Sequence, residues 1–344
     1  MKRTFLLFTL VAMFLLSCST KANKIQNINE IENKIDVYIG GSFLNNEGEI
    51  VACYWKNGVR NEIDGLQVIT LTVVDEKVYA AGRYEYDFSL EPPEAIYCYW
   101  IDGDPYELPG CTSVRNICVD NGKVYVVGMN GHMGRWVDED TWEETHWEQG
   151  YWVNGIYQSP PKDSHILAIK EVNGVVYTSG YYSINETNYA CYWINGIRKE
   201  LPNSELFAAY GIEVINNNIY VAATNNNQGC YWVNGKQYIL NNHDEKNIGF
   251  KSLTVFNDKV YFIGRYNYWI NTKIHEIHDL PERTNNSSSR LTLGEYKFID
   301  EKLYIVGSEW DERNSLVWYW VNGEFYYLNG YNATSIYLNN LINK

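Results

Sequence analysis

A five-residue phrase, Tyr-Trp-x-Asn-Gly, recurs along this chain and limits its fold more than any other feature. The second copy has Asp102 in place of Asn, and the sixth has Thr272 in place of the final Gly. The seven copies hold seven of the twelve tryptophans. Most tryptophans therefore belong to a repeated structural unit and not to a single site. The copies begin at Tyr54, Tyr99, Tyr151, Tyr192, Tyr231, Tyr268 and Tyr319.

A second anchor, with the form Val-Tyr-x-x-Gly in most copies, precedes each Tyr-Trp pair. Its tyrosines are separated by 41, 46, 52, 43, 41 and 43 residues. Periods of roughly 40 to 50 residues in a chain rich in strand-forming residues are typical of β-propeller blades. The tyrosines of this anchor are Tyr38, Tyr79, Tyr125, Tyr177, Tyr220, Tyr261 and Tyr304.

Each period contains four strand-like runs, which in the second period are residues 68–74, 77–83, 95–101 and 105–108. The Asn-Gly of the phrase joins the third run to the fourth, because both residues tolerate the positive φ of a two-residue hairpin turn. The middle runs are apolar on both faces. That pattern is expected when each face of a blade packs against a neighbouring blade.

The two ends of the chain complement each other. The first period lacks a convincing first strand, whereas residues 333–339 resemble the first strand at residues 112–118 and are followed by no second strand. We therefore expect an all-β, seven-bladed β-propeller of four-stranded blades, with the C-terminal strand joining blade one and closing the ring. A six- or eight-bladed ring is the alternative, and it depends on the altered copy near Trp269.

The first residues form a sorting signal. Lys2 and Arg3 precede an apolar run, residues 4–17, that is shorter than the roughly 20 residues of a membrane-spanning helix. The run ends in Leu-Leu-Ser-Cys18, which resembles a bacterial lipobox; the alternative is a chance apolar run. The resemblance implies cleavage before Cys18 and acyl chains on its sulfur and new amino terminus, which would anchor the protein to a membrane.

The resulting organisation is a lipoprotein signal peptide at residues 1–17, an acylated Cys18 with a tether at residues 18–35, and a propeller at residues 36–344. We expect a monomer held in the bacterial cell envelope, on the periplasmic side or at the cell surface. The formal charge of −14 becomes −16 when Lys2 and Arg3 are removed with the signal. A protein this acidic is repelled by phosphate backbones, so nucleic-acid binding is not expected.

The cysteines and histidines do not predict a metal or a cofactor. Four cysteines occupy the position before the Tyr-Trp pair, which indicates that this position is buried in the core. A disulfide between Cys111 and Cys118 is an open alternative. No Cys or His spacing fits a metal site. In a strand, His275 and His278 would lie on opposite faces. The four cysteines in the repeated slot are Cys53, Cys98, Cys191 and Cys230.

Two family resemblances follow from these motifs. The strand order, with the Val-Tyr-x-x-Gly strand second, resembles the blades of NHL and lactonase-type propellers. Residues 190–201, Ala-Cys-Tyr-Trp-Ile-Asn-Gly-Ile-Arg-Lys-Glu-Leu, are similar to the extracellular HAF repeat, although its His is absent. Both resemblances imply a propeller outside the cytoplasm. Neither family has a single activity, so no catalytic residues are transferred.

The candidate binding residues lie on the face of the ring that carries the variable connections. A long insert at residues 131–149 contains Trp136, Trp142, His146 and Trp147 beside carboxylates, a combination that suits stacking on sugars or a protein contact. The alternative is an extended hairpin in which Trp136 pairs with Trp147 or Tyr151.

Two arginines, Arg83 and Arg265, follow the strand-ending position of blades two and six. We expect them near the mouth of the ring, where they would bind an anionic ligand or pair with carboxylates such as Glu85. The sequence therefore predicts a lipid-anchored, non-enzymatic module that binds a protein or a glycan. The alternative is a propeller enzyme that acts on envelope or host glycans, although no catalytic motif is recognised.

Overall fold

The computed structural model is a ring of seven antiparallel four-stranded sheets. The predicted fold class and blade count are confirmed, and the altered sixth copy forms a complete blade. No helix in the described part of the chain is long and apolar enough to cross a membrane. The structure describes residues 35–89, 93–132, 135–136, 142–143, 146–225, 228–240, 253–263, 267–277, 290–299, 302–310 and 315–340.

Each blade has an inner strand beside the axis, followed outward by a second, a third and an outer strand. Blade one takes its inner strand from the C-terminus, β30 (Asn332–Asn340), followed by β1 (Ile35–Leu44), β2 (Ile50–Lys56) and β3 (Val59–Glu62). Blade two contains β4 (Gln67–Val74), β5 (Lys77–Asp87), β6 (Glu94–Ile101) and β7 (Asp104–Glu107). Blade three contains β8 (Cys111–Asp120), β9 (Lys123–His132), β12 (His146–Val153) and β13 (Ile156–Gln158), with a short ribbon of β10 (Arg135–Trp136) and β11 (Trp142–Glu143).

The remaining four blades follow the chain without interruption. Blade four contains β14 (Ser164–Val172), β15 (Val175–Ile184), β16 (Thr187–Ile194) and β17 (Ile197–Glu205). Blade five contains β18 (Ala208–Ile215), β19 (Asn218–Thr224), β20 (Gly229–Val233) and β21 (Lys236–Ile239). Blade six contains β22 (Leu253–Phe256), β23 (Lys259–Ile263), β24 (Asn267–Ile270) and β25 (Lys273–Glu276). Blade seven contains β26 (Arg290–Ile299), β27 (Lys302–Trp310), β28 (Ser315–Val321) and β29 (Glu324–Leu328).

The Asn of the repeated phrase does more than form a turn. In all seven blades this residue has a left-handed φ, between +44° and +56°. Its side-chain oxygen accepts a hydrogen bond of 2.8 to 3.0 Å from a backbone N–H near the start of the second strand. The phrase therefore ties the third-to-outer turn to the Val-Tyr anchor. Asp102 replaces Asn because the bond needs only an acceptor oxygen.

The Trp of the phrase packs between blades. All seven are at most 6% exposed. Trp100, Trp152 and Trp232 also donate Nε1–H to a backbone carbonyl of the preceding blade or its connection, namely that of Asp64 at 2.8 Å, Pro109 at 3.2 Å and Pro202 at 3.0 Å. Seven separate hydrophobic clusters result, one at each blade interface. Each blade is thus held by both neighbours.

The C-terminal strand closes the ring. β30 pairs antiparallel with β1 over the register from Ile35 opposite Asn340 to Ser42 opposite Asn332. Ala333 and Ile336 are fully buried in the cluster between blades seven and one. The predicted contribution of residues 333–339 to blade one is confirmed.

The second strands are longer than the sequence indicates in some blades. In blade two the predicted strand ends at Arg83, but β5 continues to Asp87 and pairs with β6, with a register shift between Arg83 and Glu85. The register shift interrupts the alternation of apolar and polar residues, so the sequence pattern does not reveal that the strand continues. The second and third strands thus project from the ring on the variable face, the side that also carries the blade-to-blade connections.

Candidate ligand-binding site in the axial channel

A cavity of about 750 Å³ lies on the axis of the ring. Residues of the inner strands of all seven blades line it, from β30 and β4 through to β26. A volume of this size is in the range of cavities that bind small ligands, roughly 300 to 1,000 Å³.

A β-bulge in each of several inner strands sets the lining of this cavity near the variable face. The register of the inner strand shifts against the second strand in blades one to five and seven, so one or two inner-strand residues are left unpaired in each. The second-strand residue beside the bulge is Gly82 in blade two and Gly128 in blade three, whereas blade five has Ala223 there. A Cβ atom on either glycine would collide with the carbonyl oxygen of Gln67 or Ser113 in the bulged strand.

The bulge residues differ from blade to blade, although the residues around them repeat. Two positions after each bulge, a large apolar side chain is buried in the blade interface, as at Leu71, Ile117, Ile169 and Ile212. The bulge itself carries no common residue type. The cavity is lined at these positions by Ile69, Arg115, Leu167, Tyr210 and Thr334, and in blade seven by Gly294 and Glu295.

A second tier of side chains lies deeper in the cavity, three positions after the bulge in most blades. Here Lys170 of blade four forms a salt bridge of 3.0 Å with Glu213 of blade five. The Glu213 carboxylate raises the pKa of Lys170, against the opposing effect of burial, so the amine is held in its charged form. The second tier is formed by Thr72, Cys118, Lys170, Glu213, Lys297 and Tyr337.

Aromatic and polar groups continue from Arg115 onto the variable face of blade four. The His165 and Tyr181 rings stack with their centroids 4.5 Å apart. Burial raises the pKa of Tyr181, Tyr210 raises it further, and the Arg115 charge opposes the shift. Burial lowers the pKa of His165, whose Nδ1 is buried without a hydrogen-bond partner. The mouth of the cavity therefore combines one cation with several flat rings.

The long insert of blade three is an extended hairpin. β9 and β12 remain paired as far as His132 opposite His146, and beyond them Trp136 lies opposite Trp142 in the β10–β11 ribbon. The predicted partners of Trp136 are wrong: Trp147 lies opposite Gly131, and Tyr151 opposite Val127.

The insert residues differ in how far the structure describes them. The Trp147 side chain is 42% exposed and is thus available for a contact. The adjacent Glu148 accepts a hydrogen bond of 2.8 Å from the Tyr157 hydroxyl. The side chains of Trp136, Trp142 and His146 lie outside the described part of the chain.

The two arginines expected at the mouth are not both described. Arg83 does not line the cavity, because it lies on the second strand of its blade and not on the inner one. Its Nη1 donates a hydrogen bond of 3.3 Å to the Tyr86 hydroxyl, so its neighbour is an aromatic ring and not Glu85. Arg265 lies outside the described residues, and so does His278 of the histidine pair.

The cysteines are free thiols in the described part of the chain. Cys111 packs in the cluster between blades two and three, whereas Cys118 packs in the one between blades three and four. The two residues therefore lie on opposite faces of blade three. Cys53, Cys98, Cys191 and Cys230 are fully buried, as their repeated slot predicts. No group of three or more His, Cys, Asp or Glu side chains placed to hold a metal occurs among the described residues.

Sequence reasoning missed the cavity lining, including Arg115, Lys170, Tyr210 and Lys297. When the sequences of the inner strands are aligned on their buried apolar residues, a shared pattern identifies the bulge residue. The four-residue pattern is apolar-x-small/polar-apolar, and x is the bulge residue, as in Val-Arg115-Asn-Ile and Ala-Tyr210-Gly-Ile. The position that varies most among the repeats is the one that faces the axis.

Fold and site together define a seven-bladed β-propeller with an axial cavity. No family model matches the chain, and no curated protein matches it. Among solved structures, the computationally designed Ika8 protein aligns with 87% of this chain and 90% of its own, at 13% identity and a TM-score of 0.46. Apo AztD from Citrobacter koseri aligns with 89% of this chain and 98% of its own, at 10% identity and a TM-score of 0.44. The extracellular domain of the putative one-component system BT4673 from B. thetaiotaomicron has 8% identity, a TM-score of 0.34 and coverage of 86% of this chain and 47% of that one.

Proposed function

We propose that this chain is an exported, lipid-anchored binding protein that takes the end of a saccharide into its axial cavity from the variable face. The observation that carries this proposal is the lining of the cavity. Six blades present equivalent bulge positions to the axis, and those positions hold different residues, among them the charged Arg115, the aromatic Tyr210 and the aliphatic Ile69. A lining needed for packing alone would repeat, as the buried Trp and apolar positions do.

The size and chemistry of the cavity favour a saccharide over a folded protein. About 750 Å³ holds a few sugar rings, whereas a protein domain would contact the rim alone. Tyr210 offers an aromatic surface, and the Lys170–Glu213 pair offers a donor and an acceptor for hydroxyl groups. The exposed Trp147 on the variable face suits stacking on a sugar outside the cavity.

Binding is favoured over hydrolysis. A glycosidase needs a pair of carboxyl groups, one of which has a raised pKa. Burial raises the pKa of Glu309, but this residue does not line the cavity. Of the three cavity carboxylates, Glu213 forms a salt bridge with Lys170, and Glu171 and Glu295 each accept a backbone N–H.

Binding to a glycan array tests this function. The full chain in a non-ionic detergent is expected to bind a defined set of glycans, and Tyr210→Ala to weaken that binding roughly tenfold, because an aromatic contact is worth on the order of 1.5 kcal/mol. Tyr106→Ala is the matched control, since Tyr106 is an exposed tyrosine on the outer strand of blade two. Absence of glycan binding, together with recovery of an envelope protein in a pull-down, would replace the saccharide with a protein partner.

The proposed anchor rests on Cys18, which lies outside the described residues. Palmitate labelling and membrane fractionation in a bacterial host test it. Cys18→Ala is expected to abolish both, because cleavage and acylation require the thiol at this position. Cys230→Ala is the control, since its thiol is buried in the propeller. Equal labelling of the Cys18→Ala and unaltered proteins would exclude the anchor.

A further inference from the structure

The axial cavity is far less acidic than the rest of the chain. The whole sequence has 28 Lys and Arg against 42 Asp and Glu. The cavity lining, by contrast, contains equal numbers of positive and negative side chains. The cations are Arg115, Lys170 and Lys297, and the carboxylates are Glu171, Glu213 and Glu295.

The carboxylates of the cavity are engaged by donors of the protein itself. Glu213 forms the salt bridge with Lys170. Glu171 is only 5% exposed; its Oε1 accepts a hydrogen bond from the N–H of Gly174 in the adjoining turn, whereas its Oε2 is buried without a hydrogen-bond partner. The Oε2 atom of Glu295 accepts one from the N–H of Ile336 at 3.3 Å.

Two of the cations, in contrast, have no such partner. Neither Arg115 nor Lys297 forms a hydrogen bond or an ion pair with any residue that the structure describes. Arg115 is exposed at its bulge, and its charge reaches Tyr181 beside it. Lys297 is half-buried in the second tier of blade seven. Each cavity carboxylate thus has at least one hydrogen bond or ion pair with the protein, whereas Arg115 and Lys297 have none with the described residues.

We propose that the group bound in this cavity is an anionic saccharide, whose carboxylate or phosphate groups contact Arg115 of blade three and Lys297 of blade seven. The inference rests on the proposed saccharide-binding function and specifies its ligand. A guanidinium fork matches the two oxygens of a carboxylate or phosphate, and an ammonium group adds a second charge-assisted contact. The anionic partner predicted at Arg83 and Arg265 is thus assigned to two cations that line the axis.

Calorimetric titration of the full chain in a non-ionic detergent tests the inference. One pair of probes is trigalacturonate and its methyl ester, which have the same rings but differ in charge. The other pair is mannose 6-phosphate and mannose. Binding of trigalacturonate identifies a carboxylate ligand, and binding of mannose 6-phosphate alone identifies a phosphate ligand. In either case the uncharged partner of the pair is expected to bind at least tenfold more weakly.

Substitutions in the cavity link that preference to the two cations. Arg115→Gln and Lys297→Gln are each expected to weaken binding of the anionic probe about tenfold, the usual effect of losing one charge-assisted hydrogen bond. Lys199→Gln removes a cation from the exposed outer strand of blade four and serves as the control. Thermal melting of each variant shows whether it is folded.

The outcomes separate this inference from the function on which it rests. Equal binding of the charged and uncharged probes would overturn the anionic ligand and leave a saccharide-binding protein. Undiminished binding by a folded Arg115→Gln, Lys297→Gln double variant would also overturn it. Absence of binding by all four probes, combined with a negative glycan array, would overturn both.

Discussion

The Asn of the repeated phrase shows how one side chain specifies a blade. It adopts the left-handed conformation that a two-residue hairpin turn requires, and the same side chain accepts the N–H that starts the second strand. Asn suits this position better than Gly, which can form the turn but has no acceptor. The phrase and the Val-Tyr anchor recur together because this hydrogen bond couples them.

Substitution of Asn154 in blade three tests that role. Asn154→Ala removes the 2.8 Å bond to Val124 N–H and places Ala at a φ of +48°. We expect a loss of about 2 kcal/mol in the free energy of unfolding, measured by urea denaturation. Asn154→Asp is expected to lose less than about 0.5 kcal/mol, because it keeps the acceptor, as Asp102 does in blade two. Equal destabilisation by Ala and Asp would show that the acceptor is unimportant.

The strands were largely predictable from the sequence, and their irregularities were not. Blade count and ring closure follow from local patterns, namely a period, a turn and an unpaired terminal strand. At some β-bulges the bulged strand approaches the second strand so closely that only a glycine fits, as at Gly82 beside the carbonyl of Gln67. A bulge changes which side chains face the axis, so the alternation rule fails at Arg115 and Tyr210. Arg83 was expected at the mouth because it follows Gly82, but it lies on the second strand of its blade and not on the inner one.

Removal of β30 tests ring closure. Deletion of residues 332–344 takes the inner strand from blade one and exposes the cluster that contains Ala333 and Ile336. We expect the melting temperature to fall by at least about 10 °C, because the loss of several fully buried side chains costs many kcal/mol. Deletion of residues 341–344 alone is the control and is expected to have little effect. An unchanged melting temperature after the larger deletion would contradict closure by β30.

The whole molecule separates its structural residues from its variable ones. The blade interfaces repeat around the ring, and each interface holds a blade through buried Trp and aliphatic side chains. The axis and the variable face carry what does not repeat, including the bulge residues and the insert of blade three. A rigid ring with a variable lining permits a change of ligand without a change of fold. The sequence predicted which face of the ring carries the site. The residues of the site could be identified only from the register of the inner strands.

Cys118 reports on the interior of the cavity, since it lines the second tier and is only partly buried. Burial raises its pKa to about 11, and the nearby Lys170 opposes this shift. Only the thiolate reacts with iodoacetamide, so the labelling rate is expected to rise about tenfold for each pH unit below that pKa. A rate that levels off near pH 9 would show that the thiol has an ordinary pKa.

Protection of this thiol by a ligand is the most direct test of an axial binding site. At pH 9, iodoacetamide labelling of Cys118 is followed by mass spectrometry with and without trigalacturonate, at the saturating concentration given by calorimetry. We predict that the bound saccharide slows labelling of Cys118 at least fivefold, and that Arg115→Gln removes the protection. Saturating saccharide that leaves the labelling rate of Cys118 unchanged would contradict binding in the cavity.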